Sequence, residues 1–162
     1  MVQADTIDPR ELRRTLGCFA TGVTIVTAYD GDGRPRGMTA NSFTPVSLNP
    51  PLILVCVATT TPIWPVLAEA AGFAVNVLSE HQQEISQRFA TPVADKFAGL
   101  SWREPAQRGG PILAEVAAHL VCRRERHVEI GDHMLLIGEV LDFERSAARP
   151  LIFHQGAYGA VA

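Results

Sequence analysis

Cysteine is scarce: three residues in 162, at positions 18, 56 and 122, odd in number and far apart. That spacing excludes a disulfide framework and a CxxC metal site, and each residue sits in an apolar or helix-like setting that reads as a buried thiol in a reducing compartment. Long hydrophobic runs are missing as well. The longest, Pro51 to Ala58, is too short to span a bilayer, and the opening Met-Val-Gln-Ala-Asp lacks the basic-then-apolar order of a secretion signal. A cytoplasmic protein with no membrane association is expected. Positive charge is not in excess: 14 Lys and Arg stand against 17 Asp and Glu. No nucleic-acid partner is therefore expected, and an anionic ligand has to be held by local donors.

The usual chemical fingerprints are also absent. Gly31-x-Gly33-x-x-x-Gly37 has the wrong spacing for a dinucleotide turn, contains Pro35 and precedes a strand where a helix is needed. No GxxxxGK[ST] loop, GxSxG elbow or HExxH helix occurs. His81, His119, His127, His133 and His154 are scattered, and the first three read as helix-surface or strand residues. No metal site and no catalytic side chain can be assigned, which leaves chemistry carried by a bound cofactor.

What is present is a chain 47% hydrophobic, enough for one folded domain over residues 1–162. Asp8-Pro9-Arg10-Glu11 starts a helix running to Phe19, with Leu12, Leu16 and Phe19 on one face. Gly22 to Tyr29 reads as a strand, and Asp30-Gly31-Asp32-Gly33 turns it back through Arg36 to Ala40. Leu52 to Val57 has no polar alternation and reads as a strand buried on both faces. Thr59-Thr60-Thr61-Pro62 leads into a short apolar helix ending near Gly72. Phe73 to Leu78 is a strand. Ser79-Glu80-His81-Gln82 has capping-box spacing for a helix that turns Ile85 and Phe89 inward and stops at Thr91-Pro92. Ala94 to Gly110 is irregular. Val116 to Val128 and His133 to Phe143 form a long hairpin, and Leu151 to His154 is the last strand. Six or seven strands in hairpins with three short helices favour a mainly β fold, an antiparallel barrel with peripheral helices.

One stretch stands out, "GMTANSFTPVSLNPP" from Gly37, dense in short hydrogen-bonding side chains. On composition alone it is a polar loop between strands. Together with "FATGVTIVTA" from Phe19, "FAVNVL" from Phe73, "RFA" from Arg88, "DKFAG" from Asp95, "GDH" from Gly131 and "FHQGAYG" from Phe153, it resembles the short flavin reductases of two-component flavin-dependent monooxygenases. That family has a flavin-binding split-barrel fold.

The resemblance covers nearly the whole chain and implies roles for particular residues. Thr39, Ala40, Asn41 and Ser42 would lie near the isoalloxazine and ribityl chain, with Ser47 and Leu48 beside them. Short donors suit a ring edge of carbonyl and nitrogen acceptors, where longer side chains would collide. Thr59, Thr60 and Thr61, ahead of a helix, would meet the phosphate. Arg88, Phe89, Lys96 and Phe97 would flank the flavin tail. His133, within reach of Asp132, would contact the nicotinamide dinucleotide, with Phe153, His154 and Tyr158 bordering the same opening.

The implied activity is an NAD(P)H:flavin oxidoreductase, passing hydride from NADH or NADPH to FMN or FAD and supplying a separate monooxygenase. A homodimer with flavin sites at the subunit boundary goes with it. The alternative is a flavin carrier of the same fold without efficient NAD(P)H oxidation.

Overall fold

The computed structural model describes residues 7–162. In chain order the elements are helix α1 (Pro9–Leu16), strands β1 (Thr21–Gly22), β2 (Thr24–Tyr29), β3 (Pro35–Ala40), β4 (Thr44–Leu48) and β5 (Pro51–Ala58), and helix α2 (Trp64–Glu69). They continue with strand β6 (Gly72–Val77), helix α3 (Gln83–Ala90), and strands β7 (Trp102–Arg103), β8 (Ile112–Leu113), β9 (Ala118–Ile130), β10 (His133–Arg145), β11 (Leu151–His154) and β12 (Ala157–Ala160).

Seven strands form one antiparallel sheet in the order β3-β2-β6-β9-β10-β5-β4. Its two edge strands, β3 and β4, are consecutive in the chain and are joined by Asn41, Ser42 and Phe43 alone. Laid flat, the edges of seven strands would stand about 29 Å apart, whereas three linking residues reach about 14 Å at most. The sheet must therefore curl until its edges approach.

At the seam the Ser42 hydroxyl donates to the Cys56 carbonyl at 2.9 Å and accepts from the Cys56 N–H at 3.1 Å. The β4 ladder on β5 ends at Thr44, opposite Leu54. One side chain thus takes the ladder position that the backbone has left, and the barrel is split there.

Val26, Ala40, Val55, Val57, Phe73, Val75 and Leu136 fill the interior, with Ile63 and Leu67 from the start and middle of α2 packed in the same cluster. A second cluster lies outside β2, where Val23 and Ile25 meet Phe89 of α3, Phe97, Leu113 and Leu151. The strands buried on both faces are therefore β2 and β6. β5, expected to be one, alternates: Ile53, Val55 and Val57 point inward while Leu52, Leu54 and Cys56 stay partly exposed.

Both doubly buried strands carry polar residues, and Thr24, Thr27 and Asn76 among them are paired. Asn76, 0% exposed, donates to the carbonyls of Ile25 and Pro111 and accepts from the Leu113 N–H. Thr27 donates to Pro111. Pairing of this kind makes a buried amide tolerable, and it ties the irregular segment before β8 to the wall.

Other departures are local. The Asp8 carboxylate caps α1 by accepting from the Arg10 N–H at 2.8 Å, but the helix ends at Leu16, not Phe19. Gly17 weakens it, and Cys18 and Phe19 continue as tighter turns that bond to Thr15 and Leu16. Leu12, Leu16 and Phe19 are exposed, Phe19 at 80%. The Thr44–Leu48 segment, expected as loop, is an edge strand. Gln82 reaches back to the Ser79 N–H as in a capping box, yet α3 starts only after Gln82. A further strand, β12, follows Leu151–His154 through a turn in which Gln155 and Gly156 both have positive φ, and β1 pairs with β11. Of the three cysteines only Cys122 is buried; Cys56 is partly exposed and Cys18 exposed.

Candidate functional site

A cavity of about 1000 Å³ opens along β3, between the β2–β3 hairpin, the chain entering α2, and the loop that follows α3. Gly37 makes this arrangement possible. A Cβ there would fall 2.5 Å from the Phe89 ring, so only glycine lets α3 sit directly on β3. The loop after α3 is then pinned beside the strand. Lys96 Nζ donates to the Phe89 carbonyl at 2.7 Å, the Phe97 N–H donates to Asp95 at 2.9 Å, and Phe97 packs edge-on against Phe89 with centroids 5.0 Å apart. Burial lowers the Lys96 pKa.

Three of the residues singled out from the sequence line this cavity: Thr61, Lys96 and Phe97. Met38, immediately before the Thr39–Ser42 segment, lines it too. Phe89 is buried behind it in the second core cluster, and Arg88 donates to the Ala98 carbonyl at 2.9 Å, bracing the same loop.

The polar stretch is less available than its composition suggests. Thr39 donates to the Ser86 carbonyl of α3 at 2.6 Å, Ala40 is buried with its carbonyl accepting from Thr24, and Ser42 is committed to the seam. Asn41 is exposed between them. Its amide has no hydrogen-bonded side-chain partner among the described residues and remains free to meet a ligand.

Thr59, Thr60 and Thr61 do not form a helix N-terminus. α2 begins at Trp64 with Ile63 as its cap, because Pro62 and Pro65 restrict where the first turn can start. Thr59 instead bonds through both its N–H and its hydroxyl to the Asp132 carbonyl, at 3.0 and 3.2 Å. That brings it beside His133, as the pairing of His133 with Ala58 requires. At the Gly131-Asp132 turn, His133 Nδ1–H donates to the Asp132 carboxylate at 2.6 Å. A carboxylate can only accept, so the bond places a proton on Nδ1. It also holds the Asp132 carboxyl below its ordinary value, through the hydrogen bond first and the imidazole charge second.

Ser47 and Leu48 lie elsewhere. Ser47 pairs with Leu52 and His133 with Ala58, six residues along β5, which separates them by about 20 Å. Phe153 and Tyr158 face each other across β11 and β12 with ring centroids 5.3 Å apart, and the Tyr158 hydroxyl hydrogen-bonds Ser86 at 2.8 Å. Thr39, α3 and Tyr158 thus form one connected group. His154 is exposed on β11.

The cavity also recruits residues the sequence reading passed over, chiefly Arg34, Arg36 and Trp102. The two arginines follow a turn whose signal was read only as geometry, and Trp102 sits in a segment with no motif.

A curled antiparallel sheet split at its seam, with short helices outside it, is a flavin-reductase type of fold. The match to known proteins agrees. Residues 16–162 match the flavin reductase like domain, and the chain belongs to that family. It is 43% identical over 161 residues to the reductase subunit of a flavin-dependent monooxygenase from Rhodococcus jostii, covering 99% of this chain and 82% of that one. It superposes on the structure of a Streptomyces globisporus NADH:FAD oxidoreductase in complex with NAD and FAD fragments, with a TM-score of 0.90 at 40% identity and 98% of both chains covered. A flavin reductase relative from Rhizobium meliloti is 48% identical over 155 residues, and this chain spans 50% of its length.

Proposed function

We propose that this chain is an NAD(P)H:flavin oxidoreductase that supplies reduced FMN or FAD to a separate flavin-dependent monooxygenase. The observation that carries the reading is the cavity along β3, faced by Met38, Thr61, Lys96 and Phe97, with exposed Asn41 in the short link that follows the strand. Its donor set fits a flavin: a free amide beside the ring position, a hydroxyl and an ammonium where the phosphate would fall, and apolar walls from Met38 and Phe97. The relatives' names point the same way, since one is a monooxygenase reductase subunit and another an NADH-dependent FAD reductase.

When bound, flavin supplies the hydride acceptor at N5, and dihydronicotinamide the donor at C4. The work left to the chain is positioning. Phe97 and Met38 give the ring an apolar wall, Asn41 offers donors to its edge, and Lys96 offsets phosphate charge. His133, at a hairpin turn held by Asp132 and Thr59, orients the nicotinamide dinucleotide.

We also assign the chain to a cytoplasmic homodimer. The exposed Leu12, Leu16, Phe19, Val46 and Leu48 favour a covered surface, and a second copy would bring Ser47, Leu48, Phe153 and His154 toward a neighbour's flavin. The cysteines are unpaired, and no helix among the described residues is long and apolar enough to cross a membrane.

The test is to mix the protein with NADH or NADPH and with FMN or FAD, following nicotinamide absorbance. Flavin-dependent turnover is expected; a yellow protein inert to both nicotinamides identifies a carrier. In the same assay His133→Ala should raise the nicotinamide KM about tenfold or more while leaving the flavin Kd within about twofold. Equal losses in both would remove His133 from this role.

A further inference from the structure

Tyr158 belongs to the last strand, yet its hydroxyl is committed to α3. Ser86 is 0% exposed, and among the described residues its hydroxyl pairs with Tyr158 alone, at 2.8 Å. The tyrosine ring is held as well. It stands opposite Phe153 on β11, and both pack against the core cluster that contains Phe89 and Phe97.

Ser86 is also where α3 meets β3. Gly37 and Thr39, two apart on the strand and so on one face of it, receive Phe89 and Ser86, three apart on the helix and so on one face of that. At Gly37 the contact is ring against backbone; at Thr39 it is the hydroxyl donating to the Ser86 carbonyl at 2.6 Å. The C-terminal segment grips the chain once more just ahead of α3. The Glu80 N–H donates to the Arg149 carbonyl and the Arg149 guanidinium to the Glu80 carboxylate, both at 2.9 Å. That segment has its own anchors, since β11 pairs with β1 and the Leu151 N–H donates to the Leu78 carbonyl.

Part of the cavity wall rides on α3. Lys96 donates to the Phe89 carbonyl, Arg88 to the Ala98 carbonyl, and Phe97 packs on the Phe89 ring, so the loop moves with the helix. Direct contacts therefore run from Tyr158 through Ser86 and α3 to Lys96 and Phe97, both of which line the cavity.

We propose that Tyr158 is a positioning residue for the flavin: through Ser86 it holds α3 against β3 and so sets Lys96 and Phe97 at the cavity, without itself touching flavin or nicotinamide. The assignment rests on the flavin reading above. It gives Tyr158 a different part from the nicotinamide-bordering one that the sequence resemblance implies.

Tyr158→Phe keeps the ring and removes only the hydroxyl. Without any ligand, hydrogen exchange of residues 91–101 in the full chain should be faster in this variant, while β9 and β10 exchange as in the wild type. The flavin Kd, read by fluorescence, should rise about three- to tenfold, the span of one neutral hydrogen bond, with the nicotinamide KM at saturating flavin within about twofold. Ser86→Ala should match it, and the double variant should lose no more than either single one, because the same bond is lost once. A raised nicotinamide KM with an unchanged flavin Kd would put Tyr158 at the nicotinamide and overturn the proposal. A lowered Tm with loop exchange and flavin Kd unchanged would leave Tyr158 a purely structural residue, and losses that add in the double variant would show that the two hydroxyls act separately; either result overturns it. A wild-type chain that binds neither flavin would overturn the flavin reading and the positioning role with it, a failure told apart from the others by the exchange measurement, which needs no ligand.

Discussion

Gly37 to Ser42 and Thr44 to Leu48 belong to one sequence stretch of similar composition, yet the fold treats them in opposite ways. In the first half Gly37 admits the Phe89 ring, Thr39 is bonded to α3, Ala40 is buried and Ser42 closes the barrel. The second half is an edge strand paired on one side, with Val46 exposed and Leu48 95% exposed. Short polar residues in a loop, at a seam and on an edge look alike in a sequence. What separates them is whether another segment, far along the chain, arrives to use their hydrogen bonds.

The comparison can be broken most forcefully at Gly37. Gly37→Val puts a branched side chain into the Phe89 ring, and overpacking should cost about 1–3 kcal/mol. That lowers Tm by several degrees and loosens the α3 loop that carries Lys96; calorimetry with flavin titration reads both, and an unchanged Tm would show that α3 can retreat freely.

Ser42→Ala should come next. It strands the N–H and carbonyl of Cys56 at the seam, at a cost of about 1–3 kcal/mol if they stay dry and less if water enters. Burial raises the Cys56 thiol pKa, so wild-type Cys56 should alkylate slowly. The variant should label faster, whereas Cys122, whose pKa is pushed up to about 12 by burial, should stay inert in both. Equal labelling of Cys56 would mean that the seam does not depend on Ser42.

Leu48→Ser should be the mildest, shifting unfolding of the isolated chain by no more than about 0.5 kcal/mol. If the edge is covered by a second copy, the same change should weaken association in sedimentation. No effect on either property would leave Leu48 a solvated edge residue.

Much of the fold was legible because its signals are local. The Asp8 cap, the Asp30–Gly33 turn, the long hairpin around Gly131 and the inward Phe89 all depend on neighbours within a few residues. The miss at β5 has a physical cause: hydrophobicity says a strand can be buried, not how many faces find partners. β2 and β6 are covered on both sides despite Thr27 and Asn76, because Pro111 and Leu113 arrive to satisfy them. α1 failed in the opposite sense, an apolar face with no element among the described residues packed over it.

The site was legible as a set of segments but not as a place. Thr61, Lys96 and Phe97 were named and do share the cavity, while Arg34 and Trp102 carry no motif and are recognised only by what surrounds them. The two arginines after the Asp30–Gly33 turn were the one available hint.

By itself the amino-acid order determined where the turns and caps fall, that the chain makes hairpins, and which family it joins, because those depend on short-range patterns. Tertiary structure alone decided that Ser42 is a clasp, that Gly37 is a packing surface and that a long cavity runs beside β3. Each of these needs two segments, distant in the chain, to meet at hydrogen-bonding or van der Waals range once the sheet has curled.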